Sequence, residues 1–338
     1  MKIGFKCRLA QSLERGVSSV VVSVIIPAYN AAAFLGAAIA SLQAQTLSQW
    51  EAIIVDDAST DGTLELARRI AASDFRVRVL ALDVNSGPSA ARNAGFAVAT
   101  GEWIALLDAD DVYLPARLSE MIAAAERLEA DILADNQWLR DPSLGAIVRS
   151  GLPRSGRAKR ISLTEFYLKS LSASGFDLGT LKPIFRASLV AQSGVQYRPL
   201  RYGEDFVFFA ELLALGARAW RIPQPYYVYT LTTSEVDGNR SESSRTLTNY
   251  DLLLIGSNSI MDRYAARLST TEKVAIRIRA YFIEEYKSAV IFKDQRRNKQ
   301  YRSMLATLLR HPLIFIMILR GIRWRLRAML PDQRYVPT

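Results

Sequence analysis

Apolar runs and amphipathic stretches alternate along the first third of the sequence. Four runs rich in β-branched residues predict strands, at 21–30, 51–59, 77–83 and 102–108. Between them, apolar positions at helical spacing predict helices at 31–45, 61–72 and 88–97. In the second helix Leu64, Ala67 and Ile70 share one face, and Asp61 is the expected cap. This alternation predicts a parallel sheet covered by helices on both faces.

Beyond residue 131 the pattern is less regular. The segment 139–160, rich in Gly, Pro, Ser and Arg, is interpreted as a surface excursion. We expect four further features: a short strand at 179–185, a helix directly after "YGED", a strand pair at 217–230 and a polar loop at 232–245. From Thr248 the sequence is helical to its end. The predicted units are an N-terminal extension (1–20), a main domain (21–235) and a helical, basic C-terminal region (236–338).

Acidic residues follow three of the four predicted strands: Asp56 and Asp57, Asp83, and the cluster Asp108, Asp110 and Asp111 in "ALLDADDVYL". The carboxyl ends of parallel strands meet at one sheet edge, where ligands bind. Clustered carboxylates repel each other and lose hydration at the edge of a core, so they require a partner. A divalent cation, the capping of a helix at 114–128 and a ribose hydroxyl are the candidates. Capping needs one carboxylate and not three, which favours a functional role.

Composition narrows the chemistry further. Cys7 is the one cysteine and His311 the one histidine. Disulfide frameworks, cysteine-based metal sites and multi-histidine zinc sites are therefore excluded, and Ser–His catalysis nearly so. No G-x-x-x-x-G-K-[ST] pattern is present, and no G-x-G-x-x-G follows the first strand, which argues against P-loop ATPases and NAD-dependent enzymes. Chemistry based on carboxylates is what is left.

The formal net charge of +10 belongs to one end of the chain. Between Lys287 and Arg327 there are eleven basic residues and one acid, Asp294, whereas the rest of the chain is balanced. In "GIRWRLRAML" (321–330) Arg323 and Arg327 share one helical face, which is typical of a helix on an anionic membrane surface. The alternative is a helix packed on the main domain with solvated arginines. Because the body is neutral, we expect no nucleic-acid partner.

The N-terminal residues lack the sustained apolar stretch of a secretory signal. The apolar run at 313–319 is too short to span a bilayer. We therefore expect a cytoplasmic protein that is peripheral on the inner face of the cytoplasmic membrane.

Five segments occur in a specific order: "VSVIIPAYN", "AIIVDDASTDGT", "NSGPSAARNAG", "GEWIALLDADD" and "YGED". Together they resemble the family 2 glycosyltransferases with the GT-A fold. More narrowly, they resemble the bacterial enzymes that build exopolysaccharide repeat units on a lipid carrier, such as the succinoglycan glucosyltransferases. The resemblance covers about 23–234. It implies an α/β fold with a doubly wound, mixed but mainly parallel sheet, a nucleotide-sugar half (about 21–112), an acceptor half (about 113–235) and a C-terminal helical extension.

The resemblance assigns donor binding to ten residues: Pro27, Ala28, Tyr29, Asn30, Asp56, Asp57, Arg92, Asp108, Ala109 and Asp110. The first three would line the uracil and ribose pocket. Asp57 would accept a hydrogen bond from the uracil ring, with Asp56 its neighbour. Asp108 would bind ribose hydroxyls, and Asp110 would hold Mg²⁺ or Mn²⁺ on the diphosphate. Arg92 would approach the base or the diphosphate.

Two further carboxylates are implied in catalysis. Asp205 of "YGED" would be the general base, and Glu204 would assist or orient it. The alternative is that both cap the following helix. A weaker assignment to the acceptor or phosphate falls on Lys182, Tyr202 and Arg240. For Lys182 a solvated surface charge is an equal alternative.

The implied activity is transfer of a sugar, with glucose as the first choice, from a UDP-sugar to a polyprenyl-diphosphate-linked saccharide. A metal ion stabilises the leaving diphosphate, and one carboxylate on the opposite face takes the acceptor proton. Such a displacement inverts the anomeric centre, so an α-linked donor gives a β-glycoside. The alternative is a catalytically inactive GT-A scaffold in a polysaccharide assembly complex. It predicts loss of Asp108, Asp110 or Asp205, and all three are present.

Overall fold

The computed structural model describes residues 20–170, 178–200, 202–231 and 247–311. Ten strands from these residues form one sheet, in the order β3-β2-β1-β4-β9-β6-β10-β5, with β7 paired to β6 and β8 to β10. The strands are β1 (Val22–Ala28), β2 (Trp50–Asp56), β3 (Val77–Ala81), β4 (Trp103–Leu106), β5 (Val112–Tyr113), β6 (Ile132–Asp141), β7 (Ala146–Ser150), β8 (Lys159–Ile161), β9 (Ile184–Arg186) and β10 (Ala219–Thr230).

The helices of the described residues cover both faces of this sheet, and an apolar cluster fills each interface. They are α1 (Leu35–Gln43), α2 (Thr63–Ser73), α3 (Pro88–Val98), α4 (Arg117–Arg127), α5 (Leu163–Lys169), α6 (Ala187–Ser193), α7 (Glu204–Ala214), α8 (Leu247–Tyr264), α9 (Thr270–Arg297) and α10 (Tyr301–Arg310). A single 3₁₀ turn (Leu178–Thr180) precedes β9.

The first four strands form the parallel half of the sheet. β1 pairs in parallel with β2 and with β4, and β2 pairs in parallel with β3. Every position of β2 is buried, because helices cover it on both sides. This explains why the strand is a nearly continuous apolar run and not an alternating one. The predicted strand–helix alternation is confirmed here.

The second half of the sheet is mixed. β9 lies antiparallel between β4 and β6, whereas β6 and β10 form a long parallel ladder. The antiparallel partners β5, β7, β8 and β9 are all short. The predicted fold class, a mixed but mainly parallel α/β sheet with a helical C-terminal part, is therefore confirmed.

The strand pair expected at 217–230 is wrong. These residues form the single strand β10, whose register with β6 shifts at Pro225. Pro223 and Pro225 cannot donate to the ladder, so they interrupt its hydrogen bonds without reversing the chain. The excursion at 139–160 lies at the surface as expected, but it contains the end of β6, all of β7 and part of β8.

Helix boundaries differ from the predicted ones by a few residues. Helix α2 begins after Gly62 and not Asp61, although the Asp61 carboxylate accepts the Thr63 amide hydrogen bond at 2.9 Å. The N-cap of α4 is Ala116, so neither Asp110 nor Asp111 caps it, contrary to the capping alternative.

Within the C-terminal region the structure describes residues 247–311. They form three helices and not a continuous one, and Ser269 forms a capping box with Glu272 at the start of α9. Helix α8 contacts α7, and α9 contacts α5. Tyr167 of α5 donates a hydrogen bond to the Ser257 carbonyl of α8. No helix in the described ranges combines the length and apolar character needed to cross a membrane. The segments 1–19 and 312–338, with the helix expected at 321–330, lie outside the described residues.

Gly101 allows the turn before β4 to lie close to the backbone of β1. The Gly101 amide donates to Ser23 Oγ at 2.8 Å, and a Cβ at position 101 would lie 2.6 Å from the Ser23 backbone nitrogen. We expect Gly101→Ala to lower the free energy of unfolding by about 1–3 kcal/mol, measured by urea denaturation. Gly36→Ala is the control, because nothing lies within 4 Å of that Cβ, and it should not destabilise the protein. Equal stability of the two variants would refute this packing argument.

Candidate active site

A cavity of about 480 Å³ lies at the carboxyl ends of β1 and β4. The strand order reverses there, because the chain leaves β1 towards β2 and later returns to β4 on the other side. In open α/β sheets such a crevice is the usual ligand site. The cavity is lined by Pro27, Ala28, Tyr29, Asn30, Ala31, Phe34, Asp57, Asn85, Gly87, Pro88, Ala91, Arg92, Asp108, Ala109 and Asp110.

Nine of the ten residues assigned to donor binding line this cavity. The exception is Asp56, which is buried at the end of β2 and accepts the Ser59 amide at 3.1 Å. Asp83 is exposed and does not line the cavity either. Six lining residues were not predicted: Ala31, Phe34, Asn85, Gly87, Pro88 and Ala91. Their only signal in the sequence is that they lie within or next to the five ordered segments quoted above.

Two loops form the walls of the cavity and are held by side chains. The Asp57 carboxylate accepts the amides of Ser86 at 2.8 Å and Gly87 at 2.7 Å, which fixes the entry to α3. Gly87 has φ = 83°, a conformation that favours glycine. Across the cavity, Asn30 also has a positive φ, and its Oδ1 accepts the Thr60 amide at 2.8 Å. The walls therefore have a defined shape without a ligand.

The acidic turn after β4 comprises residues 108–111, and its third carboxylate points into the protein. Asp111 is buried and accepts hydrogen bonds from the Tyr227 hydroxyl at 2.6 Å and from the Thr230 amide at 2.7 Å. Burial and the neighbouring Asp108 and Asp110 raise its pKa well above the usual value. Asp111 thus anchors β10 to the turn.

Five charged side chains meet at the edge of the cavity: Arg92, Lys182, Asp108, Glu204 and Asp205. Lys182 Nζ lies 2.8 Å from Asp108 Oδ2 and 2.7 Å from Asp205 Oδ2. The guanidinium of Arg92 lies 3.1 Å from Asp108, 3.0 Å from Glu204 and 3.2 Å from Asp205. This ionic network joins α3 and the acidic turn to α7 and to the segment before β9.

The network controls the charge state of its members. Burial alone would raise the pKa of Asp108 and of Asp205, but Lys182 and Arg92 outweigh it and lower both pKa values. Burial and the adjacent Asp205 raise the pKa of Glu204, and Arg92 offsets this only in part. Burial disfavours the charge on Lys182, yet the two aspartates raise its pKa above the usual value. Asp108 and Asp205 are therefore fully ionised at neutral pH.

The alternative readings of these residues are wrong. The N-cap of α7 is Gly203, with φ = 80°, and the carboxylates of Glu204 and Asp205 contact cations and cap nothing. Lys182 is 5% exposed and is no solvated surface charge. Its signal in the sequence is a lone lysine inside the apolar run "TLKPIF". Tyr202 is half-buried just before α7 and does not line the cavity, and Arg240 lies outside the described residues.

Asp110 is the carboxylate of the turn that faces solvent in the cavity. It is exposed, and its carboxylate accepts no hydrogen bond from another residue that the structure describes. Partial enclosure and the charge of Asp108 raise its pKa. No group of three potential metal-ligating side chains is found among the described residues. One free carboxylate fits a magnesium or manganese ion whose remaining ligands are substrate phosphates and water.

Comparisons with known proteins agree with this architecture. The family model described as Glycosyl transferase family 2 matches residues 23–189. Succinoglycan biosynthesis protein ExoO of Rhizobium meliloti (strain 1021) is 31% identical over 310 residues, which cover 91% of this chain and 86% of that protein. The chain belongs to glycosyl transferase family 2.

Other similar proteins extend the comparison. Succinoglycan biosynthesis protein ExoU of the same organism is 30% identical, over 89% of this chain and 86% of its own. The structure of S. aureus TarS 1–349 in complex with UDP-GlcNAc aligns with a TM-score of 0.59 at 19% identity, covering 89% of this chain and 92% of that one. Mannosyltransferase PcManGT from Pyrobaculum calidifontis, in complex with GDP-Man and Mn²⁺, aligns with a TM-score of 0.54 at 18% identity, covering 89% and 84%. These likenesses establish the GT-A fold.

Beneath the ionic network, this family 2 glycosyltransferase has a second, fully buried ion pair. Arg117 donates to both carboxylate oxygens of Asp135, at 3.0 and 2.9 Å, and also to the backbone carbonyl of Lys182. Its guanidinium lies 4.1 Å from the ring centroid of Tyr113 and 5.2 Å from that of Tyr227. The pair therefore supports the segment that carries Lys182. No sequence signal identifies it, because an arginine at the start of an amphipathic helix is usually solvated.

Loss of this pair should destabilise the whole domain. We expect Arg117→Met to lower the free energy of unfolding by about 3–5 kcal/mol, because Asp135 would be left buried without a counter-ion. Chemical denaturation followed by circular dichroism measures this. Arg69→Met is the matched control: it removes an exposed pair with Glu65, and the change should stay below about 1 kcal/mol. Similar losses in the two variants would show that Arg117 is not a buried support.

Proposed function

We propose that this chain transfers glucose from UDP-glucose to a polyprenyl-diphosphate-linked saccharide in exopolysaccharide biosynthesis, with a divalent metal ion and with inversion. The observation that carries the proposal is that two carboxylates at one edge of the cavity differ in their partners. Asp110 is free at the cavity, whereas the Asp205 carboxylate is held by two cations. The first is available to a metal–diphosphate and the second to an acceptor hydroxyl.

A nucleotide sugar matches the cavity in size and position. Its volume of about 480 Å³ falls in the range of small-molecule sites, and it lies at the topological switch point. TarS and PcManGT, which share the fold, were crystallised with UDP-GlcNAc and GDP-Man. The names of ExoO and ExoU support the assignment to exopolysaccharide synthesis. Glucose as the sugar is proposed from the resemblance to succinoglycan glucosyltransferases.

Different cavity residues would contact different parts of the donor. The Asp57 carboxylate is oriented by two amides and keeps lone pairs for a ring N–H of uracil. Asp108, held by Arg92 and Lys182, is positioned for ribose hydroxyls. Asp110 would hold Mg²⁺ or Mn²⁺, and the bound ion would stabilise the charge that develops on the leaving diphosphate. The two buried cations add positive charge to the same edge of the cavity.

Asp205 is the proposed general base. Its lowered pKa keeps it ionised at neutral pH, as a proton acceptor must be. It would take the acceptor hydroxyl proton while the new C–O bond forms and the bond from the sugar to the diphosphate breaks. Attack from the face opposite the diphosphate inverts the anomeric centre and gives a β-glycoside from an α-linked donor. Glu204, 3.0 Å from Arg92, would orient the base through that cation.

Attachment to the inner face of the cytoplasmic membrane is part of the proposal, since a lipid-linked acceptor resides there. Helix α10 supports it within the described residues. Tyr301, Leu305 and Leu309 are 64%, 57% and 77% exposed, and Arg302 and Arg310 accompany them. Exposed apolar and basic side chains on one short helix suit a lipid headgroup surface.

Binding of nucleotide sugars tests the metal site. We expect calorimetry with a panel of UDP- and GDP-sugars to show UDP-glucose binding with Mn²⁺ and its loss with EDTA. Asp110→Asn should weaken the metal-dependent binding by at least about tenfold, because a metal ligand is lost. Asp83→Asn is the control, because Asp83 follows β3 and is exposed but does not line the cavity. Equal binding without metal, or no binding of any nucleotide sugar, would refute the role of Asp110.

Transfer kinetics test the base. Asp205→Asn should lower the transfer rate by about 10²–10⁴-fold, because proton removal is lost. Donor binding should persist, because Asp108 still pairs with Arg92 and Lys182. Rates with a lipid-linked acceptor, together with the anomeric configuration of the product by NMR, measure this. Asp262→Asn, an exposed position on α8, should leave the rate unchanged. An α-linked product, or full activity of Asp205→Asn, would contradict the inverting mechanism with this base.

A further inference from the structure

A basic and apolar surface projects from the sheet edge at residues 142–157, here called the basic segment. It contains three cationic residues and no acid: Arg149, Arg154 and Arg157. Lys159 and Arg160 follow in β8, which pairs with the start of β10 away from β7, and are not part of this surface. All three cations of the basic segment are exposed, and none forms an ion pair with another residue in the described parts of the chain. One of them, Arg154, lies 4.9 Å from the ring centroid of Trp138. The charge of this segment is therefore available to an anionic partner.

The same segment exposes aliphatic side chains. Leu144, Ile147 and Val148 are 69%, 48% and 47% exposed. Ile147 and Val148 are consecutive in β7, so they point to opposite faces of the strand, and both faces are open. In the described residues β7 pairs only with β6, which makes it an edge strand. Exposed apolar groups rimmed by cations mark an interaction surface.

This surface is next to the cavity. In the β6–β7 ladder, Ile147 is paired with Arg140. The Arg140 guanidinium donates to the Asp110 carbonyl at 3.4 Å and to Thr230 Oγ1 at 2.7 Å. Cross-strand partners share one face of a sheet. One residue, Arg140, therefore separates the apolar edge of the basic segment from the turn that carries Asp110.

We propose that the basic segment is a membrane-contact element that lies on an anionic phospholipid bilayer. Leu144, Ile147 and Val148 enter the headgroup layer, and Arg149, Arg154 and Arg157 meet lipid phosphates. The contact turns the cavity edge at Asp110 towards the membrane surface, where a lipid-linked acceptor would be presented; this last step rests on the proposed function. The contact is distinct from the C-terminal helix expected at 321–330.

A bilayer matches this surface better than other partners do. A second copy pairing along β7 would bring the cations of two basic segments together, and the repulsion opposes association. A nucleic acid would satisfy the cations but would leave the aliphatic side chains without a partner, since base stacking uses aromatic rings. An anionic bilayer satisfies the charged and the apolar groups together.

Vesicle binding of the full chain tests the proposal. We expect cosedimentation with vesicles containing phosphatidylglycerol and little with pure phosphatidylcholine vesicles. Arg149→Ser/Arg154→Ser should weaken binding roughly 25-fold, since each basic residue near an anionic surface contributes about fivefold. Ile147→Ser/Val148→Ser should also weaken it. Phe75→Ser is the control: Phe75 is 94% exposed just before β3, at the sheet edge opposite the cavity, and its loss should have no effect.

Hydrogen exchange separates this element from the C-terminal region. Amides at 142–150 should become protected on phosphatidylglycerol vesicles. Protein that binds vesicles while these amides stay unprotected would overturn the proposal, as would their protection by self-association or by RNA without lipid. Calorimetric UDP-glucose binding is measured on the same variants and should be unchanged. If the wild type bound vesicles through this segment but bound no nucleotide sugar, the proposed function would fail and the membrane contact would stand.

Discussion

The arrangement of the site depends on two buried cations. Arg92 and Lys182 are almost inaccessible to water, so the cost of burying their charges requires carboxylates nearby. Those carboxylates come from distant parts of the chain: Asp108 follows β4, and Glu204 and Asp205 open α7. The ionic network can form only when the two halves of the sheet are correctly joined. Three carboxylates against two cations leave the network with one formal negative charge, and Asp110 adds a further carboxylate at the same cavity edge.

The three aspartates of "ALLDADDVYL" have three different surroundings. Asp108 is neutralised by the cations, and Asp111 is bonded to Tyr227 and Thr230. Their roles leave Asp110 as the one carboxylate of the turn that has no protein partner among the described residues. The turn thus holds one free carboxylate between two whose positions are fixed by their partners, an arrangement that would need little further ordering to bind a cation. Burial and the charge of Asp108 raise the pKa of Asp110, and a cation would offset both effects.

Sequence patterns predicted the strands and helices whose formation depends on residues close together in the chain. Apolar periodicity predicted β1 to β4 and α1 to α3, because each of these elements buries a face whose spacing is visible in a short window. Nine donor residues were predicted because the ordered segments that resemble the family follow those strands. Lys182 and Arg117 were not resolved in this way, since their burial depends on partners outside any short sequence window. Asp135 is 18 residues from Arg117, and the Lys182 carbonyl is 65 residues from it. Asp205 is 23 residues from Lys182. Pro223 and Pro225 resemble a turn in sequence, yet the long ladder with β6 keeps the chain extended.

Arg140 connects the cavity to the surface that we propose meets the membrane. Its guanidinium bonds to Thr230 and to the carbonyl of Asp110, whereas the Asp110 carboxylate stays free. Arg140 therefore does not compete for the Asp110 carboxylate oxygens. Because Arg140 lies on β6, positive charge beside the acidic turn comes from the strand that also carries the exposed hairpin. In the proposed function, this one residue would link the surface on the membrane to the turn that binds the donor.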